Sequence, residues 1–547
     1  MRTRLLSVLA ITALAAVVLV GLAAGASGSG PDDRSLSFKI TIPSGVASAP
    51  LTGRAYVIVT RSDADEPRFQ IDTTGVPFFG KDVSAVRPGV PFTLGSGPGV
   101  YGYPVTSLRQ LPAGDYFVQA FFNVYTKFDR SDGSVVWLHL PGGDGQDPFT
   151  SPGNLYSAVK RVHLDPARAA NVRLVLDQVI EPEDPVPPGG TSQQGNPPDS
   201  VHVKHLKIRS ELLSAFWGRP IYIAANVLLP EGYEASADRY PVVYQHGHYP
   251  GPSPYSFRED LGNAFSKWWV KPDTPRMIVV TMRHENPYYD DSYAVNSANL
   301  GPYGDAITQE LIPAIDATYR TVAERWGRTL TGGSTGGWEV LAQMIFYPQL
   351  YQGVWVFSPD PVDFRFHQLV NVYEDANAYF NQSEWVGVPR PASRSISGDT
   401  RLTMEQENHF ELALGTSGRS GWGQWDIWQA VYGPQGADGY PAPIWDKQTG
   451  AIDHAVAEAW RPMDLRIRLQ DDWATLGPQL AGRLHVFAGD DDNYFLNNAV
   501  ELLEQYLLTT SGPAADADIQ YGPNGGHSWR PYDTYTLLTN MSDAMHP

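Results

Sequence analysis

The chain has 547 residues, 42% of them hydrophobic and 18% charged, with a formal net charge of −19 and no cysteine. Its length exceeds one ordinary hydrophobic core and implies two or more domains. The acidic balance argues against a nucleic-acid partner and an anionic membrane surface, and without thiols there is no disulfide, thiol chemistry or cysteine-linked lipid.

Taken in order, Arg2 and Arg4 precede an apolar run, Leu5 to Ala26, that ends in Ala24-Gly25-Ala26. This is the plan of a signal peptide over residues 1–26, so the expected location is secreted or periplasmic, with an uncleaved membrane anchor as the alternative. Residues 31–182 carry strand after strand, at Leu36–Ile42, Arg54–Thr60, Tyr116–Val124, Val135–Leu140 and Val172–Val179, with Gly, Pro and Asp turns between. The spacing predicts an all-β, sandwich-like accessory domain. Its aromatics (Tyr101, Tyr103, Tyr116, Phe117, Phe121, Phe122, Tyr125 and Trp137) read mainly as core, with a carbohydrate-facing surface as the alternative. The run EPEDPVPPGGTSQQGNPPDS, from Glu181, marks a Pro/Gly-rich linker over 183–202. It has almost nothing to bury, so residues 201–547 are expected to fold without the β domain.

From residue 203 to 547 strands alternate with helices, the pattern of an α/β domain. At its centre stands Gly332-Gly333-Ser334-Thr335-Gly336-Gly337, a G-x-S-x-G turn between a β-prone segment and a helix-patterned one ending near Pro348. A nucleophile elbow needs glycines two before and two after the serine so that backbones can pass closely, and it places the hydroxyl at a helix N-terminus. Asp305–Tyr319 is predicted helical, with a possible kink at Pro313. Leu484–Ala488, a helix over Leu496–Leu508 and Ile519–Tyr521 form a strand-helix-strand unit, which implies a parallel pair opening on the edge where the elbow opens.

A serine nucleophile needs a base to take its proton and an acid to orient that base. Ser334, one of Asp490, Asp491 and Asp492, and His527 follow in the order Ser, Asp, His of an α/β-hydrolase. The aspartates lack the D-x-D-x-D-G spacing of a calcium loop. His246-Gly247-His248 follows the strand Val242–Gln245, where this plan puts an oxyanion amide; that amide is assigned to His248 and the other to Thr335. His246 and His248 also suggest a metal pair, but no third ligand stands at metal spacing, so neither metal nor cofactor is expected.

With these residues in hand the chain resembles the putative esterase family of α/β-hydrolases, which includes feruloyl esterases, esterase D-like enzymes and mycolyltransferases. The likeness rests on Tyr240–Gly247, Glu310-Leu311-Ile312-Pro313, Gly332–Gly337, Phe357-Ser358-Pro359 and the late Asp and His. It implies a mostly parallel sheet flanked by helices and a cofactor-free ester hydrolase or acyltransferase. In the run Gly489–Asp492, Asp492 takes the last place of G-x-x-D, where the resembling family carries its acid.

Where the family has a shorter connection, residues 361–480 form an insertion carrying Trp385, Trp422, Trp425, Trp428, Trp445, Trp460 and Trp473. Its position suggests a cap, with Trp425 and Trp428 as candidate substrate-binding residues and a stabilising subdomain as the alternative. The resulting expectation is an exported serine esterase acting through Ser334, Asp492 and His527 on a small-molecule or polysaccharide-linked ester. It has no nucleic-acid partner, and no stable membrane partner unless the N-terminal segment is uncleaved. The alternatives are acyl transfer to a sugar hydroxyl and a non-catalytic carbohydrate-binding protein on a hydrolase scaffold.

Overall fold

The alternating strands that follow Leu36 build two sheets in the computed structural model, which describes residues 36–141, 147–168, 170–248, 251–288 and 292–546. The expected signal peptide lies outside the described residues. In the smaller sheet Ser37–Thr41 sits between Asn171–Val175 and Phe92–Leu94. The larger is built on the long strand Gly114–Asp129 paired with Leu51–Thr60, which in turn pairs with Phe78–Val86. Phe78–Val86 is not legible as a strand because Gly80, Lys81 and Asp82 interrupt its apolar run; pairing, more than pattern, holds it. Successive side chains of a strand face opposite ways. Ala55, Val57 and Val59 therefore enter a core shared with Phe38, Ile40 and Phe122, while Tyr56 and Ile58 leave on the other side. Tyr103, Tyr116, Phe121, Phe122 and Tyr125 are buried, and Tyr101, Phe117 and Trp137 half-buried.

The second sheet system has eight strands: β1 (Val203–Ser210), β2 (Ile221–Leu228), β3 (Val242–His246), β4 (Ile278–Arg283), β5 (Arg328–Ser334), β6 (Gly353–Pro359), β7 (Leu484–Gly489) and β8 (Asp518–Gly522). They lie in the order β1-β2-β4-β3-β5-β6-β7-β8. The β1–β2 and β2–β4 pairs are antiparallel, and the pairs from β4–β3 to β7–β8 are parallel. This is the α/β-hydrolase arrangement, in which the parallel strands release their loops along one edge. The central strands read as continuous apolar runs, as Val354–Phe357 does, because both faces are covered.

The helix read over Asp305–Tyr319 runs from Tyr303 to Thr318 and carries a π turn at Ile307–Leu311, just before Pro313. Proline has no N–H to offer the preceding turn, and widening that turn keeps the helix continuous. Glu310 of the E-L-I-P run caps the helix Glu211–Trp217, its carboxylate accepting from the amides of Glu211 and Leu212 at 3.0 Å each.

Two features depart from the expectation of loosely joined halves. The linker is laid along β1: the Asn196 amide donates to the His205 carbonyl at 2.7 Å, and Lys207 reaches the carbonyls of Gln193 and Gly195. The outer face of the larger β-sheet packs Tyr56, Ile58, Phe78 and Phe121 against Phe410, Ala413 and Leu414 of the helix Met404–Leu414, which belongs to the insertion. Buried Arg54 donates to the carbonyls of Leu412 and Ala413. Residues from 36 onward accordingly belong to one compact unit.

Candidate active site

The elbow forms where β5 turns into the helix Thr335–Phe346. Ser334 stands between them at φ 56° and ψ −126°, a backbone conformation that costs an L-residue energy and persists because its surroundings fix it. The flanking glycines show what does so. A Cβ on Gly332 would lie 2.1 Å from the Gly336 carbonyl, and one on Gly336 would lie 2.3 Å from the carbonyl of His246 at the end of β3. Opposite the serine the β5–β6 register slips, and Ser358 takes φ 40°.

The loops after β7 and β8 are laced together, Asp490 N–H donating to the Gly522 carbonyl and Asp491 N–H to that of Gly525. This brings His527 Nδ1 to 2.8 Å from Asp492 Oδ2. The other oxygen of Asp492 accepts from the amides of Tyr494, at 2.8 Å, and Leu496, at 3.3 Å, so the buried carboxylate is fixed in orientation. Its neighbours point elsewhere: Asp490 accepts from the Gly525 amide at 3.3 Å, and Asp491 faces Arg394 at 3.6 Å. The Tyr494 ring meets the His527 ring edge-on at 5.0 Å.

Ser334, His527 and His248 line one cavity of about 300 Å³ together with Asp360, Gln368, Glu407, Gln424, Trp428, Tyr494 and Leu496. Gln368, Glu407, Gln424 and Trp428 come from residues 361–480. Thr335, the first residue of the helix after Ser334, is buried beside it. Trp428 borders the cavity as expected of a binding residue, but Trp425 does not. It is 1% exposed, packs against Trp428 and Trp445, and donates from Nε1 to Glu407 Oε2 at 3.2 Å. A tryptophan three residues from another on a helix shares its side of the helix, and here that side has a front and a back. Trp445 and Trp460 are likewise buried, Trp422 is half-buried, and Trp385 is exposed.

Sequence reasoning passed over Asp360. Buried at the end of β6, it accepts through Oδ2 from Tyr293 Oη (2.7 Å), Thr335 Oγ1 (3.0 Å), Trp428 Nε1 (3.1 Å) and Gln424 Nε2 (3.4 Å). Ser334 Oγ lies 3.5 Å from its Oδ1. Burial raises the pKa of this carboxyl group, against the pull of the Tyr293 hydroxyl, nearby His248 and the other donors. Glu407 is half-buried and pushed up to about 8, by burial first and then by the neighbouring charge of Glu411. The one signal for Asp360 was its place directly after Phe357-Ser358-Pro359.

His246 lies beneath the elbow with His284 and Glu339, all three buried and their ligand-type atoms within 4.8 Å of one another. Such a group could hold a metal, and two of its members were not read from the sequence: His284 follows β4 and Glu339 stands on the helix after the elbow, both distant in sequence from His246. Ser292 N–H donates to His284 Nδ1 at 3.3 Å, and His284 Nε2 faces Glu339 at 3.9 Å.

A family model described as "Putative esterase" matches residues 220–533. Over 140 residues the chain is 29% identical to an endo-1,4-beta-xylanase/feruloyl esterase of Xylanibacter ruminicola, and over 138 residues it is 26% identical to the uncharacterized protein YjcH of Bacillus subtilis. Each match takes in 24% of this chain, with 18% of the first relative's length and 54% of the second's. Among solved structures, a ferulic acid esterase aligns over 63% of this chain and all of its own at 15% identity and TM-score 0.39. An S-formylglutathione hydrolase from Agrobacterium tumefaciens aligns over 63% and 94% at 14% identity and TM-score 0.33.

Proposed function

The chain belongs to the putative esterase family; from that premise we propose that it is an exported carboxylic-ester hydrolase that cleaves esters through an acyl-enzyme formed on Ser334. The observation that carries this reading is the 2.8 Å Asp492–His527 pair opening on the same cavity as a serine held in a strained elbow.

In the resting state the Ser334 hydroxyl faces Asp360. With an ester bound it turns to His527 Nε2, which takes the proton as Oγ bonds to the carbonyl carbon. Asp492 holds Nδ1–H and steadies the imidazolium. The amides of Thr335 and His248 receive the developing oxyanion, with the helix dipole behind Thr335. His527 returns the proton to the departing alcohol oxygen, and a water molecule, deprotonated by the same histidine, releases the acid.

The insertion acts as a cap, and the N-terminal region as a structural buttress for it. Transfer to an acceptor hydroxyl differs only in what attacks the acyl-enzyme, and product analysis with and without an added sugar separates the two. For the reaction itself, Ser334→Ala is expected to fold and to lose on the order of 10⁴ to 10⁶ in kcat, as removal of a triad nucleophile does. It should also abolish fluorophosphonate labelling. Retention of a tenth of the activity would overturn the assignment.

A further inference from the structure

Among the described residues the wall of the cavity around Ser334 carries two carboxyl groups, Asp360 and Glu407, two histidines, His248 and His527, and two aromatic rings, Trp428 and Tyr494, but neither lysine nor arginine. Neither acid forms an ion pair with a lysine or arginine among the described residues, although His248 pulls on Asp360 and Lys447 on Glu407. Asp360 is 3% exposed and gathers its four neutral donors on Oδ2, leaving Oδ1 turned to Ser334 Oγ at 3.5 Å. Glu407 accepts from Trp425 Nε1, whereas Lys447, close by, is bridged to Glu411 and Asp426 behind it. Two carboxyl groups on the wall of one small space lose hydration, and an entering cation offsets that loss for both. Aromatic faces add attraction for a cation and are indifferent to an anion's needs. The net charge of −19 draws cations toward the molecule from a distance.

Resting on the ester-hydrolase reading above, we propose that the substrate carries a positive charge, an alkylammonium group within a few bonds of the scissile ester, held among Asp360, Glu407, Trp428 and Tyr494. The 3.5 Å between Asp360 Oδ1 and Ser334 Oγ sets the reach: the charge sits on the acyl chain or on the alcohol close to the carbonyl, not at the far end of a long substrate. A carboxylate in that place meets two carboxyl groups and, among the described lining residues, no lysine or arginine to pair with.

Matched esters differing only in charge test this. Acetylcholine is compared with 3,3-dimethylbutyl acetate, and betaine ethyl ester with ethyl 3,3-dimethylbutanoate, each kcat/KM being divided by the ester's rate with hydroxide. For at least one pair the cationic member is expected to be favoured by about tenfold or more, the scale of one desolvated cation–carboxylate or cation–π contact. Glu407→Gln and Asp360→Asn should each lower that ratio by about threefold or more. If either variant fails to fold, inhibition of the wild-type enzyme decides: tetramethylammonium should compete with substrate at a lower concentration than tert-butanol.

A ratio near one for both pairs, a ratio untouched by both substitutions, or equal inhibition by the two probes would overturn the proposal, as would preference for a neutral sugar acetate over every cationic ester. Labelling of Ser334 by a fluorophosphonate together with turnover of the neutral esters keeps the two readings apart. If both occur while the charge preference is missing, only the cation subsite fails; if neither occurs, the hydrolase reading fails first.

Discussion

At the scale of single residues, the three consecutive aspartates show what a loop does to chemically identical side chains. Asp492 points inward because its carboxylate is gripped by two amides of the turn that follows it, and that grip presents the other oxygen to His527. Replacing the acid by Asn keeps its shape but favours the wrong imidazole tautomer, so Asp492→Asn is expected to lower kcat by roughly 10² to 10⁴. Asp490→Asn gives up one 3.3 Å bond to a loop amide, and Asp491→Asn a 3.6 Å contact with Arg394. Each should cost less than about tenfold. Steady-state kinetics on the three variants checks this, and a larger loss at either neighbour would move the acid's role there. Ser334, Asp492 and His527 stand out in the sequence because each lies at a strand end in a glycine-rich turn that local packing does not explain, and the structure brings Asp492 to His527 and puts Ser334 and His527 on one cavity. Asp360 does not stand out. An acid after Ser-Pro looks like any turn residue, and only Tyr293 and Trp428, 67 and 68 positions away, give it meaning.

At the scale of elements, the helix Gln424–Tyr432 joins the cavity to the interior of the insertion, and its two tryptophans divide the work. Trp428 Nε1 holds Asp360, so Trp428→Phe keeps most of the packing and removes one donor from a carboxylate 3.5 Å from the nucleophile. The expected effect is a change in kcat or KM of roughly ten- to a hundredfold with little change in melting temperature, the scale of one hydrogen bond to a charged group. Trp425 lies behind, against Trp445, His367 and Trp428. Trp425→Ala should destabilise the fold by about 3–5 kcal/mol, as loss of a buried large aromatic does. Paired thermal melts and kinetics separate the two outcomes; an unchanged Trp425→Ala melt with altered KM would restore that residue as a binding group. Composition and spacing located the tryptophan cluster but not its facing. Which side of a short helix meets the cavity is set by the elements packed against it, and the insertion's partner is the distant β-sheet.

At the scale of the whole molecule, the same partnership reverses an expectation drawn from the linker. A stretch with almost nothing apolar to bury suggests halves that fold apart, and the linker indeed contributes little hydrophobic contact. The joint lies elsewhere. Phe410, Ala413 and Leu414 cover Tyr56, Ile58, Phe78 and Phe121, and Arg54 and Tyr56 satisfy the carbonyls of Leu412, Ala413 and Leu414. Asp82 sits between Arg54 at 2.9 Å and Arg419 at 2.8 Å, one from each side of the joint. No single local window of sequence could report this, because the contacting residues are more than 300 positions apart. Uncovering Phe410 and Leu414 alone forfeits about 1.5–3 kcal/mol for each side chain, and each lost hydrogen bond adds about 1 kcal/mol. The sum is comparable with the 5–15 kcal/mol that holds an ordinary domain together. Residues 201–547 expressed alone are therefore expected to be insoluble, or to melt at least about 10 °C below the full chain, with the helix Met404–Leu414 the first element to loosen. That helix carries Glu407 into the cavity, so any folded fraction should also show a disturbed KM before it loses the chemistry of Ser334 and His527. Calorimetry, soluble yield and kinetics on the truncated chain check the sequence of events. A soluble fragment with the melting temperature and KM of the full chain would show that the sheet rests on the insertion without supporting it.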